Sequence, residues 1–138
     1  MKLSVVFDTN ILISALFFHG KQRQILEHAI SQDINLIISE PILEELSEVL
    51  SRHKFAIKKE LIYITVSEII EISKIVYPKN LIDVIKVDPD DNRILECALE
   101  GRADYIISGN KHLLDLEIYE GIKIINTVKF IEILRKSV

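Results

Sequence analysis

Four short apolar runs constrain this chain more than any other feature: Leu3 to Phe7 (LSVVF), Asn35 to Ile38 (NLII), Tyr105 to Ile107 and Ile122 to Ile125. Each is too short for a helix, carries β-branched residues and reads as a strand buried on both faces. The segments between them have helical spacing. Ile11 to Phe18 is apolar nearly all round, predicting a buried helix that Gly20 ends. Lys21 to Gln32 is predicted to turn Ile25, Leu26, Ala29 and Ile30 inward. Ser39 is expected to cap a helix with Pro41 in its first turn and Ile42, Leu43, Leu46, Val49 and Leu50 at helical spacing. Glu60 to Val76 reads as one long amphipathic helix and Leu81 to Val87 as a short edge strand. Asp88-Pro89 opens a helix running to Gly101, and Thr127 is expected to cap a last helix reaching Lys136. Strands alternating with helices predict a parallel sheet covered on both faces.

The chain has 138 residues, near the commonest size for one domain, and no linker or repeat interrupts it; residues 1–138 are expected to form a single domain. With 49% apolar and 28% charged residues, disorder is excluded. The net charge of −4 argues against a broad basic face that grips nucleic acid through many phosphates. Cys97 is the one cysteine, so no intrachain disulfide forms. Asp8, Thr9 and Asn10 break the apolar N-terminal stretch, which therefore fits neither a secretory signal nor a membrane span. A cytoplasmic location is expected.

In such sheets ligands bind beyond the carboxyl ends of the strands, near the point where strand order reverses. Asp8 follows the first strand, and Glu44 and Glu45 lie on the helix after the second. Asp90 and Asp91 open the helix before the third, which Ser108, Gly109 and Asn110 follow. Asp8, Glu45 and Asp91 are hard oxygen donors without histidine or cysteine at ligand spacing, a combination suited to Mg²⁺ or Mn²⁺ and poor for zinc. Clustered carboxylates repel unless a cation or proton intervenes. A metal there would lower the pKa of a bound water and stabilise charge at a phosphoryl centre, which points to phosphodiester hydrolysis. Each residue has a structural reading too: Asp8 as a helix cap, Asp88 and Asp91 as a capping box, Glu44 and Glu45 as solvated surface. The spacing leaves both readings open.

Other chemistries fit less well. Asn10 stands where a haloacid-dehalogenase-type phosphatase needs a second aspartate, and no P-loop or Gly-x-Ser-x-Gly elbow occurs. A receiver-like phosphoacceptor domain would need an acidic neighbour for Asp8. His19, His28, His53 and His112 are scattered, and Cys97 sits among apolar helix residues as a core side chain.

The ordered segments VVFDTNILISAL, SEPILEELSEVLSR, DPDDNRILECALEGRADYIISGNKHLL and IKIINTVKFIEIL resemble PIN-domain ribonucleases. The likeness is to the single-domain type found as toxins of type II toxin–antitoxin pairs, and it spans essentially the whole chain. It implies a three-layer α/β/α sandwich around a parallel sheet of four to five strands. It also implies a Mg²⁺- or Mn²⁺-dependent endoribonuclease cutting single-stranded RNA, with a small antitoxin partner and a homodimeric state. By motif, Asp8 matches the family's first acid, Glu45 the second (Glu44 the other register) and Asp91 the third (Asp90 the other register). Asn110 falls at the fourth position, where many relatives carry aspartate, and His112 also stands where an acid is frequent. Asn110 is expected to complete the site through its carbonyl or a water, leaving one or two metal ions open. Thr9, Asn10 and Ser108 are expected to orient carboxylates or water. Arg93 and Lys111, and further away Arg52 and Lys54 in a basic patch, are the candidate RNA contacts. The alternatives are a weak or inactive PIN module that binds RNA or a protein, and a housekeeping RNA-processing nuclease.

Overall fold

The chain begins with β1 (Ser4–Phe7), α1 (Thr9–Phe17), α2 (Lys21–Ile30), β2 (Asn35–Ser39) and α3 (Glu40–Leu50) in the computed structural model, which describes residues 2–52 and 55–136. α4 (Lys59–Ile72) leads into β3 (Ser73–Val76), and a 3₁₀ turn at Pro89–Asp91 opens α5 (Asn92–Glu100). β4 (Tyr105–Ile107), α6 (Lys111–Leu114), β5 (Ile118–Tyr119), β6 (Ile122–Ile125) and α7 (Thr127–Lys136) follow. The strands form one six-stranded sheet in the order β3-β2-β1-β4-β6-β5. All neighbours are parallel except β5, which runs antiparallel along β6. Helices flank the sheet, so Val5, Val6, Ile37, Ile106 and Ile107 are sealed from solvent on the central strands. α5 packs across β1, β2 and β4. At its end, Gly101 comes so close to Ile37 of β2 that a Cβ would collide with the isoleucine side chain.

The α/β sandwich matches expectation, with differences in detail. The sheet has six strands, not four to five, because two short ones escape the pattern. The helix expected over Glu60 to Val76 stops at Ile72, and Ser73–Val76 pairs in register with Leu36 to Ser39. Leu81 to Val87 is not a strand. It is an irregular strap whose inward residues, Ile82 and Ile85, are buried. α1 ends at Phe17 with the Phe18 N–H bonded to the Ser14 carbonyl, and Gly20 starts α2 rather than ending α1. Ile30, expected inside, is 48% exposed. Ser39 occupies the cap position of α3 but makes no side-chain capping bond. Asn126, not Thr127, caps α7: its Oδ1 accepts from the Lys129 N–H at 2.9 Å.

Candidate metal centre

The chain leaves β1 toward β2 on one side and returns from β3 into β4 on the other, so strand order reverses between β1 and β4. Asp8 directly follows β1 and Ser108 directly follows β4. Asp8 fills the capping role open to it from sequence and is also held from the end of β4. Its Oδ1 caps α1 by accepting from the Ile11 N–H at 2.7 Å, and its Oδ2 accepts from the Ser108 hydroxyl. Asp8 is only 6% exposed, and burial pushes its carboxyl above the usual range despite the opposing bonds from Ser108 and the Ile11, Gly109 and Asn10 N–H groups.

From the next residue, the Thr9 hydroxyl donates to Glu45 Oε2 at 2.8 Å, tying α1 to α3. Glu45 is half-buried and Glu44 exposed, and both line a cleft with Asp90. Burial raises its pKa most, against the Thr9 bond, with repulsion from Asp90, Asp88 and Asp8 adding to the rise. Asp91 closes the 3₁₀ turn, half-buried beside exposed Asp90. Its carboxyl is pushed up to about 6, by burial first and then by Asp88, with Asn110 opposing.

Asn110 connects these groups. Its N–H donates to the Ser108 hydroxyl at 2.9 Å, and its Nδ2 donates to Asp91 Oδ2 at 3.0 Å. Its Oδ1 caps α6, accepting from the His112 N–H at 2.8 Å. The carbonyl expected to face a metal or water thus holds a helix, while the amide nitrogen fixes Asp91. A continuous path runs from Glu45 through Thr9 to Asp8, then through Ser108 and Asn110 to Asp91.

The remaining candidates lie around this path. Asn10 exposes its side chain and reaches Asp8 through its backbone. Arg93 lines a cleft of about 230 Å³ with Pro41, Glu44, Glu45, Glu48 and Asp90. Its guanidinium is also paired with Glu96 at 2.7 Å and bonded to the Ile82 carbonyl at 3.3 Å. Lys111 is exposed at the first position of α6, and Arg52 is exposed just past α3. Lys54 lies outside the described residues. Cys97 is buried and its thiol is pushed up to about 12, which makes it an inert core residue. Asn92 and Glu96, both buried on α5, escaped sequence reading. Their signal was polarity on the inward side of an amphipathic helix.

Among the described residues, no three histidine, cysteine or acidic side chains stand close enough together to hold a metal ion as they are placed. Asp8, Glu45 and Asp91 are instead joined through Thr9, Ser108 and Asn110, each with a raised pKa. Excess negative charge with all-oxygen donors fits a hard divalent ion such as Mg²⁺, which binds through one or two carboxylates and keeps several of its waters.

The fold has close counterparts. VapBC2 from Rickettsia felis, crystallised bound to a DNA fragment from the promoter of the pair, superposes with a TM-score of 0.62 at 17% identity. The match covers 90% of this chain and 98% of that one. PAE2754 from Pyrobaculum aerophilum gives a TM-score of 0.63 at 12% identity, over 98% of this chain and 90% of that one. At such identities the likeness is one of fold. No curated protein sequence matches the chain. The PIN domain family model matches residues 4–112, from the first residue of β1 into α6 and across every candidate carboxylate. The chain therefore belongs to the PIN domain family.

Proposed function

We propose that this protein is a divalent-metal-dependent endoribonuclease that cuts single-stranded RNA, as the toxin of a toxin–antitoxin pair. The observation that carries the reading is the path of bonds that joins Asp8, Glu45 and Asp91 through Thr9, Ser108 and Asn110, each acid with its pKa raised by burial and, at Glu45 and Asp91, further by neighbouring carboxylates. Such a set is stabilised by what neutralises it. Asp8, Glu45 and Asp91 would hold Mg²⁺ or Mn²⁺, which when bound supplies a nucleophile at neutral pH and stabilises charge at phosphorus. Ser108 and Thr9 orient Asp8 and Glu45 through their hydroxyl donors. Asn110 holds Asp91 in place, and exposed Lys111 beside it offers a cation to the RNA backbone. Arg93, on the cleft beside Glu45, offers a second.

The partner assignments rest on separate observations. The VapBC2 counterpart was crystallised as a pair, which supports an antitoxin for this chain. On α4 only Ile69 is buried, while Leu61, Tyr63, Ile64 and Ile70 are exposed. That apolar surface supports a homodimer or an antitoxin contact. No described helix is long and apolar enough to cross a membrane.

The test is cleavage of end-labelled single-stranded RNA with Mg²⁺, Mn²⁺ or EDTA. Wild type cuts with either metal and stops in EDTA, and Asp8→Asn, which keeps the helix cap, is inactive. Metal-dependent cutting by Asp8→Asn sinks the site assignment. One observation favours a second reading, a PIN module that holds RNA or protein without cutting: Asn110 adds no charge and both ends of its amide are engaged. Titration with Mn²⁺ separates the two, since the inactive module takes up no ion even at millimolar concentration.

A further inference from the structure

The strap between β3 and the 3₁₀ turn is held by side chains of α5 rather than by a sheet partner. Asn92, 1% exposed, uses the whole hydrogen-bonding capacity of its amide there. Its Oδ1 accepts from the Val84 N–H at 3.1 Å and the Ile85 N–H at 2.9 Å. Its Nδ2 donates to the Ile85 carbonyl at 2.8 Å and to the Pro89 carbonyl at 3.0 Å. One turn along α5, buried Glu96 accepts from the Ile82 N–H at 2.8 Å. Glu96 also pairs with Arg93, which reaches the Ile82 carbonyl.

These two clamps differ in one respect. Glu96 and Arg93 bond to the strap and to each other. Asn92 touches both the strap and Pro89, the first residue of the turn that ends at Asp91. Asp91 is therefore gripped from two sides, by Asn110 at its carboxylate and by Asn92 through its own turn.

The geometry points to Asn92 as a positioning residue for the metal site: its amide sets the turn that aims Asp91 at the switch point. This rests on the metal-site reading above. A group that orients a ligand from behind typically changes metal affinity about 10–100-fold when removed. A residue that only stabilises the fold lowers the melting temperature and leaves the affinity of the folded protein alone.

The experiment measures Mn²⁺ binding by calorimetry and melting in EDTA for the full chain and the variants Asn92→Ala and Glu96→Gln. Asn92→Ala should bind Mn²⁺ about ten-fold or more weakly at temperatures where it is folded. Glu96→Gln, which retains an acceptor for Ile82, should lower the melting temperature while keeping Mn²⁺ binding within about two-fold. Equal Mn²⁺ affinity in wild type and a folded Asn92 variant overturns the inference, as does an equal loss in Glu96→Gln. A measurement on the unaltered protein covers variants that do not fold. By the reciprocity of linked equilibria, Mg²⁺ should slow hydrogen exchange at the Val84 and Ile85 amides more than at Ile82; uniform protection overturns the proposal. If wild type binds no Mn²⁺, both this inference and the metal-site reading fall. If Asp8→Asn abolishes binding and Asn92→Ala does not, only this inference falls.

Discussion

The hydroxyl of Ser108 donates to the carboxylate of Asp8 across the seam between β4 and β1 while accepting the N–H of Asn110. One hydroxyl thereby links the two strand ends that make the switch point. Ser108→Ala should raise the Asp8 pKa further, because the lost bond favours the charged form. Cleavage should fall about ten-fold or more, consistent with loss of a group orienting a metal ligand. The acidic limb of the rate–pH profile should move to higher pH. An unshifted limb would show that Ser108 does not act through Asp8.

Removing a site acid should stabilise the metal-free protein. Asp91 has a folded-state pKa raised from 3.8 to about 6. The folded state thus holds that proton more tightly, an advantage fully present below the unfolded value and lost as pH rises through about 6. Asp91→Asn removes that loss and still accepts the Asn110 bond. In EDTA near neutral pH it should be more stable by ~1 kcal/mol, after discounting for solvent screening. The gain should vanish at about pH 3, below the unfolded value, where the carboxyl is protonated in both states. Denaturant melts at the two pH values check this, and RNA cleavage by the same variant should be lost.

Asn110→Asp tests the departure at the fourth position. The aspartate keeps an acceptor for the His112 N–H but replaces the donor to Asp91 with a second charge. The metal-free protein should lose about 1–2 kcal/mol. Mn²⁺ should bind more tightly and restore the loss, because added negative charge favours the ion. Melting curves with and without Mn²⁺ decide it; lower Mn²⁺ affinity would mean Asn110 matters through its amide alone.

A packing control lies away from the site. Gly101→Ala places a methyl group against the Ile37 side chain and 3.2 Å from the Cys97 carbonyl. Overpacking of this kind should cost about 1–3 kcal/mol. Urea melts should show the loss, with Mn²⁺ affinity of the folded protein unchanged.

The strands at the centre of the sheet were legible because their apolar runs are interrupted by polar ends and flanked by clear helical spacing. The ordered motifs singled out Asp8, Glu45 and Asp91 as candidates, while spacing alone left capping and surface roles open. β3 was not legible. Ser73–Val76 continues the apolar spacing of α4, and only its pairing with β2 reveals it as the sheet edge. The strap misled in the opposite direction. Its alternation resembles a strand, yet Asn92 and Glu96 supply the bonds that a neighbouring strand would have made. Nothing in the local sequence distinguishes a side-chain acceptor from a backbone one. Asn110 was expected to turn its carbonyl to a metal or water, and its amide instead bonds Asp91 and the His112 N–H, demands that local sequence does not show.

One hundred residues separate Asp8 from Ser108. At ribosomal speeds that distance corresponds to about 5–20 s of synthesis. During that interval β1 can meet β2 and β3, but its other edge has no neighbour until β4 emerges between it and the strands still to come. A growing chain therefore holds Asp8 without Ser108, Asn110 or Lys111 beside it. The order of the strands acts as a timer: a chain still being made carries Asp8 long before the hydroxyl that holds it.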